Sequence, residues 1–177
     1  MKRLLFLPLL ALAFAACDSG EDGPPTQQDP GSFSATVASS AGDSTAFSGL
    51  ALASFNESAT FRGITLAETG ANETDILRSM LFSLTAPFTL APGTYGIGDV
   101  SGDSASFAVL YSDFRTFPNV GFFAQSGTLT LETITEETMA GRFAFEGVGR
   151  SPDLGSLSVD YTARGTFEAP VTRPPED

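Results

Sequence analysis

A chain of 177 residues with 9 basic and 21 acidic side chains, formal charge −12, contains no histidine, no tryptophan and a single cysteine. That inventory excludes catalytic triads built on histidine, zinc sites with histidine or paired cysteine ligands, and any internal disulfide. So large an acid excess also argues against nucleic acid as a partner.

The chain opens on the short basic head Met1-Lys2-Arg3 and an uncharged run, Leu4 to Ala16, that closes on the small pair Ala15-Ala16. This is the shape of a secretion signal. As a helix, its roughly 13 residues cover about 20 Å against a hydrocarbon core of about 30 Å, too little for a stable span. Phe14-Ala15-Ala16-Cys17 resembles the lipobox of bacterial lipoproteins, with Phe14 where leucine is usual. The resemblance implies removal of residues 1–16 and a thioether-linked diacylglycerol on Cys17, and two acyl chains give a stable anchor. The expected partner is therefore membrane lipid through Cys17. The expected address is the cell envelope, lipid-anchored at the outer membrane, either periplasmic or surface-exposed. Loss of Lys2 and Arg3 leaves 7 arginines against 21 acidic residues, a charge of −14, and no lysine. Arginine in place of lysine with acid excess resembles adaptation to high salt; a solubility-promoting charge in a protein of a GC-rich genome fits equally.

Residues 17–31 form the anchor and a linker. Asp18 to Gly31 holds no large apolar residue and three prolines, Pro24, Pro25 and Pro30, so it buries nothing and is expected to be disordered. Extended, it reaches about 40 Å. Its acidic cluster Asp18, Glu21, Asp22 resembles signals that send some lipoproteins to the cell surface, whereas in other groups an aspartate after the cysteine resembles an inner-membrane retention signal.

From Ser32 the apolar period is two, which predicts strands. Phe33, Ala35 and Val37 form one run; after a polar break at Ser39 to Ser44, Phe47, Gly49, Ala51, Ala53 and Phe55 form a second. Thr60 to Ala67 alternates less cleanly, and Glu68 to Asp75 reads as a polar loop. Next, Ile76, Met80, Phe82 and Leu84 share a face opposite Leu77 and Leu81, which predicts a strand covered on both sides. Gly93 to Val100 is a short strand whose glycines favour a bulge. Ser104 to Ser112 reads as a buried strand, and Asp113 to Ala124 as an aromatic-rich loop. Leu129 and Leu131, then Phe143 and Phe145, then Leu157, Val159, Tyr161, Ala163 and Phe167 make a closing meander with one dry and one wet face. The expected fold is all-β: a single antiparallel β-sandwich or barrel of about eight to nine strands over residues 32–170, with a disordered tail at 171–177.

Ser126–Ile134 (SGTLTLETI), Met139–Gly147 (MAGRFAFEG), Tyr161–Pro170 (YTARGTFEAP) and Ser32–Val37 (SFSATV) together resemble an uncharacterised family of small bacterial lipoproteins, a domain of unknown function. Arg142 stands where that family has a small hydroxyl residue, and Ala163-Arg164 where it has asparagine before glycine. The resemblance implies a fold and an address, and no activity.

Chemistry is sparse. Asp99 and Asp103 in GDVSGDS are weak calcium candidates, an ion that takes six to eight oxygens, and the plainer reading is a polar turn; Glu73 and Asp75 offer less. No catalytic residue, cofactor or firm metal site is expected, and the protein is read as a non-enzyme. Phe114, Phe117, Phe122 and Phe123 form the notable cluster: exposed, they make a patch for an envelope protein, a glycan or a small apolar ligand; buried, they close one end of the core. The expected function is a membrane-anchored, non-enzymatic envelope module of structural or interaction type. The alternative is a carrier of a small apolar ligand, with a cavity enclosed by strands.

Overall fold

Side chains that alternate between apolar and polar can satisfy both water and a core only when the backbone is extended, and this chain uses that solution throughout. In the computed structural model, which describes residues 31–55, 61–72, 75–84, 89–98, 106–115, 119–150 and 158–172, there are nine strands and, among these residues, no helix. They are β1 (Gly31–Ser39), β2 (Ser44–Phe55), β3 (Phe61–Thr69), β4 (Ile76–Leu84), β5 (Gly93–Gly98), β6 (Ser106–Asp113), β7 (Val120–Ile134), β8 (Thr138–Arg150) and β9 (Ser158–Thr172). All belong to one sheet in the order β1-β2-β3-β4-β6-β5-β7-β8-β9, and β9 pairs back onto β1 over Ser32↔Glu168 to Ser39↔Tyr161, so the sheet closes into a ring. Closure pairs the first strand with the last, so neither end of the sheet order is left as a free edge among the described residues.

Only β5 and β6 break the sequential order, and strand length explains why. β6 pairs with just the first part of β7, Val120 to Phe123. The rest of that edge would be left with unpaired N–H and C=O groups, and β5 fills it from Ser126 to Leu131. The exchange of neighbours falls at a bulge between Ala124 and Ser126. Two glycines make it possible: Gly98 (φ +99°) and Gly127 (φ +153°) take backbone conformations that side chains disfavour. A Cβ at Gly98 would collide with the backbone oxygen of Gln125, and one at Gly127 with the backbone of Ala144 and Phe145. Two short parallel contacts complete the ring, Gly96↔Ser106 and Ile97↔Phe107 between β5 and β6, and Ala53↔Val171 and Ser54↔Thr172 between β2 and β9. All other ladders are antiparallel.

The inward positions fill the ring with apolar side chains. Aromatic rings pass from wall to wall: Phe33 meets Phe47 at 5.3 Å between centroids, Phe47 meets Tyr111 at 6.0 Å, and Tyr111 meets Phe122 at 5.0 Å. Phe122 then reaches Phe145 at 6.1 Å, and Phe82 packs on Phe143 at 5.1 Å. Such tilted and edge-to-face pairs add to the burial of the rings themselves. Glycine makes room on the opposing strands: the positions a Cβ would occupy at Gly147 and Gly165 lie 2.7 Å from the rings of Phe122 and Phe143.

The structure departs from the sequence reading at several points. Residues 113–124 are not one loop, because β6 runs to Asp113 and β7 begins at Val120. β3 extends to Thr69, carrying Glu68 into the sheet. β9 continues to Thr172, two residues into the expected tail, since Val171 is buried and its N–H donates to the Glu137 carbonyl at 2.8 Å. β4 is covered on one side only: a single ring has one interior, and Leu81 on the outer side is 42% exposed.

Candidate functional site

Two features lie at and around the strands that carry the marked phenylalanines. The first is a band of uncharged outward positions around part of the ring. Register places Leu52, Thr65, Leu81, Leu110, Phe123 and Val148 side by side across β2, β3, β4, β6, β7 and β8. The adjacent row is Leu50, Ala67, Ser79, Ser112 and Gly121. All of these sit at the alternate positions to the buried ones and therefore face outward. None of these described positions is charged, and the first row runs on to Asp160, the exposed β9 partner of Val148.

The phenylalanine cluster is divided by this geometry. Phe122 faces inward, 2% exposed, and its ring stacks on Tyr161 at 4.7 Å with 5° between planes. Phe123, one residue on, faces outward and is 65% exposed. Phe114 is 47% exposed, beside Leu77, whose carbonyl accepts its N–H at 2.9 Å. Phe117 lies outside the described residues, as do Cys17, Asp99, Asp103 and Glu73. Asp75 is exposed and accepts a hydrogen bond from Asn72 Nδ2 at 2.9 Å. Among the described residues no group of three His, Cys, Asp or Glu side chains gathers to hold a metal ion.

The second feature is a row of charges that closes the interior at the Phe114 end. Glu68, Arg78 and Asp113 are cross-strand partners on β3, β4 and β6. Arg78 is 4% exposed. Its Nε donates to Glu68 Oε2 at 2.6 Å and its Nη2 to Oε1 at 3.1 Å, a two-pronged pairing that suits a planar guanidinium. The guanidinium carbon lies 4.7 Å from the centroid of the Phe47 ring, a cation–π contact, while Nη1 is buried without a hydrogen-bond partner among the described residues. Arg115 clamps Asp113 in turn: its backbone N–H and Nε donate to Oδ1 at 3.0 Å each, and Nη2 to Oδ2 at 2.6 Å. The Tyr111 hydroxyl donates to Asp113 Oδ2 over a long 3.4 Å.

These neighbours set the titration of Tyr111 and Asp113. Burial pushes the Tyr111 phenol well above its ordinary value, the Asp113 carboxylate pushes it further, and Arg78 and Arg115 oppose both. Burial alone would raise the Asp113 carboxyl, but hydrogen bonds from the Arg115 side chain and backbone hold it below the usual carboxylate value. Each carboxylate is thus occupied by a guanidinium, an arrangement suited to closing the ring with a neutral plug. The sequence reading missed Arg78, although a signal existed: it shares the period-two face of Met80 and Phe82, and a charge on a dry face requires a partner inside.

Over the adjoining stretch of β7, β8, β9 and β1 the outer wall is polar. A shallow groove of about 580 Å³ runs over β7, β8, β9 and β1, floored by small side chains such as Thr36, Ala38, Ala144 and Thr162, with Glu146 and Arg164 as its charged groups. In comparisons with protein-family models, curated proteins and solved structures, the chain matches none.

Proposed function

We propose that this protein is a lipoprotein of the bacterial cell envelope, held at the outer membrane by diacylglycerol on Cys17, whose β-domain is a non-enzymatic interaction or structural module. The address rests on the sequence: the basic head, the uncharged run and the Phe14-Ala15-Ala16-Cys17 order, followed by a proline-rich acidic linker. The choice of an interaction module over a carrier is supported by one observation, the filling of the ring. Side chains from opposite walls meet through Phe33, Phe47, Tyr111, Phe122, Phe145 and Phe82. An apolar ligand needs a pocket of several hundred cubic ångströms, and the space it would take among the described residues is occupied by these rings. The partners considered are then those that meet the outside of the domain, an envelope protein or a glycan. The acidic surface disfavours nucleic acid.

Two measurements test the proposal separately. Cys17→Ser is expected to move the protein from the detergent-extracted membrane fraction to the soluble fraction, and unchanged membrane retention would refute the anchor. Native mass spectrometry of protein from its own cells is expected to show the lipidated chain alone; a stoichiometric small apolar molecule that survives purification would restore the carrier reading.

A further inference from the structure

We propose that a buried water molecule, held between Arg78 Nη1 and the Tyr111 hydroxyl, is a constitutive part of the charged end of the ring and joins its two ion pairs into one network. The inference does not depend on the Cys17 anchor.

The starting observation is a buried donor that no described acceptor meets. Arg78 is 4% exposed, and its Nε and Nη2 are engaged by Glu68. Nη1 is buried and has no hydrogen-bond partner among the described residues. A guanidinium keeps its proton, so both N–H bonds of Nη1 remain donors, and burying them without an acceptor is costly. A second orphan lies at the same end of the interior. Ser39 Oγ is also buried without a partner among the described residues, and Ser39 pairs with Tyr161, whose ring stacks on Phe122 beside Tyr111. Polar groups at this end therefore exceed what the described chain satisfies.

Tyr111 marks where the acceptor sits. Its hydroxyl proton goes to Asp113 Oδ2 over a long 3.4 Å, which leaves the phenol oxygen free to accept. Arg78 lowers the phenol both through its charge and as a hydrogen-bond donor, against the larger upward push of burial, so the guanidinium and the phenol oxygen are near neighbours. A water between them accepts from Nη1 and donates to the Tyr111 oxygen, the kind of bridge that buried waters supply.

Charge and packing select water over other ligands. Glu68 matches the charge of Arg78, and Arg115 that of Asp113, so the row is already neutral. An anion at Nη1 would add unmatched negative charge near two carboxylates, and a cation would meet a guanidinium; both are costly away from bulk solvent. Phe47 covers the guanidinium carbon at 4.7 Å and packs on Tyr111 at 6.0 Å, surroundings that favour the smallest neutral molecule able both to accept and to donate. With it in place, hydrogen bonds run from Glu68 through Arg78, water, Tyr111 and Asp113 to Arg115.

Nuclear magnetic resonance of the full-length protein in detergent micelles, labelled with ¹⁵N-arginine, tests this. Cross-relaxation with the water resonance is read at the Arg78 Nη1 protons and at the carbon-bound ring protons of Tyr111. Arg142, with its side chain 64% exposed, is the internal reference. A water held longer than surface water is expected to give NOE and ROE peaks of opposite sign at Arg78 and Tyr111, and Arg142 none of that kind. Tyr111→Phe removes the exchangeable phenol proton, which could relay magnetisation; the Arg78 peaks should persist in it, because Nη1 still requires an acceptor. Absence of opposite-sign peaks at Arg78, or their loss in Tyr111→Phe, overturns the proposal. A hydrogen-bond scalar coupling from Nη1 to a carbonyl carbon of the chain assigns the donor to a protein acceptor and overturns it. A saturable shift of the Nη1 resonance on titration with sodium acetate assigns the place to an anion, with the same consequence.

Discussion

Phe122 and Phe123 are adjacent, identical in chemistry and opposite in environment, so their substitution separates burial from composition. Phe122 contacts Tyr111, Phe145 and Tyr161 within the ring. Truncating it leaves a cavity that its neighbours, pinned by strand pairing, cannot fill, and Phe122→Ala should lose about 3–5 kcal/mol in urea denaturation. Phe123→Ala removes a side chain that is mostly solvated and should stay within about 0.5 kcal/mol in the same assay. Asp113 makes a pH prediction. Its folded carboxyl titrates below the ordinary value, so on acidification the unfolded chain takes up the proton first. The stabilisation from Asp113 is complete above about pH 4 and falls as pH drops through the lower folded value. Asp113→Asn should flatten that part of the stability profile. Tyr111 acts at the other end of the scale: with its phenol raised by burial, stability is kept below the ordinary value of about 10 and declines as pH rises above it. Tyr111→Phe should weaken that alkaline decline, read by thermal melts across pH.

Individual strands explain why some of the molecule is legible in its sequence and some is not. β1, β8 and β9 could be read directly, because Phe33, Ala35 and Val37, Phe143 and Phe145, and Val159 to Phe167 alternate with hydroxyl or charged residues and so declare a dry and a wet face. The start of β7 could not: Phe122 and Phe123 are both apolar, and the alternation disappears into what looks like an aromatic loop. What points Phe122 inward is register with β8, opposite Gly149, information that no local pattern contains. The same holds for β4, where Leu77 and Leu81 imitate a second buried face. Strand order was equally hidden, since alternation reports a strand's faces and not its neighbours; the displacement of β5 follows from the unequal lengths of β6 and β7. Because Gly98 turns the chain where that exchange occurs, Gly98→Ala should destabilise the domain by at least about 1 kcal/mol, measured by chemical denaturation. The row Glu68–Arg78 invites a double-mutant cycle. Arg78→Met alone should cost about 3 kcal/mol by leaving Glu68 half-buried without a partner, and Glu68→Gln should offset much of that loss in the double variant.

For the molecule as a whole, the distinctive property is asymmetry. A closed sheet could have been charged all round; this one has a shallow groove with Glu146 and Arg164 over β7, β8, β9 and β1 and a band of uncharged outward positions that runs from β2 through β3, β4 and β6 to β7. A chain with a single cysteine forms no internal disulfide and must be stable through its core alone, and the aromatic chain across the ring supplies much of that core. On the proposed reading, function lies outside the ring, in what the outer surface touches. The most direct test of the whole account is the intact mass of the protein extracted from its membrane. The account predicts a chain beginning at Cys17 and heavier than its sequence by a diacylglyceryl group, with or without a further acyl chain. An unmodified thiol, or a first residue other than Cys17, would contradict it.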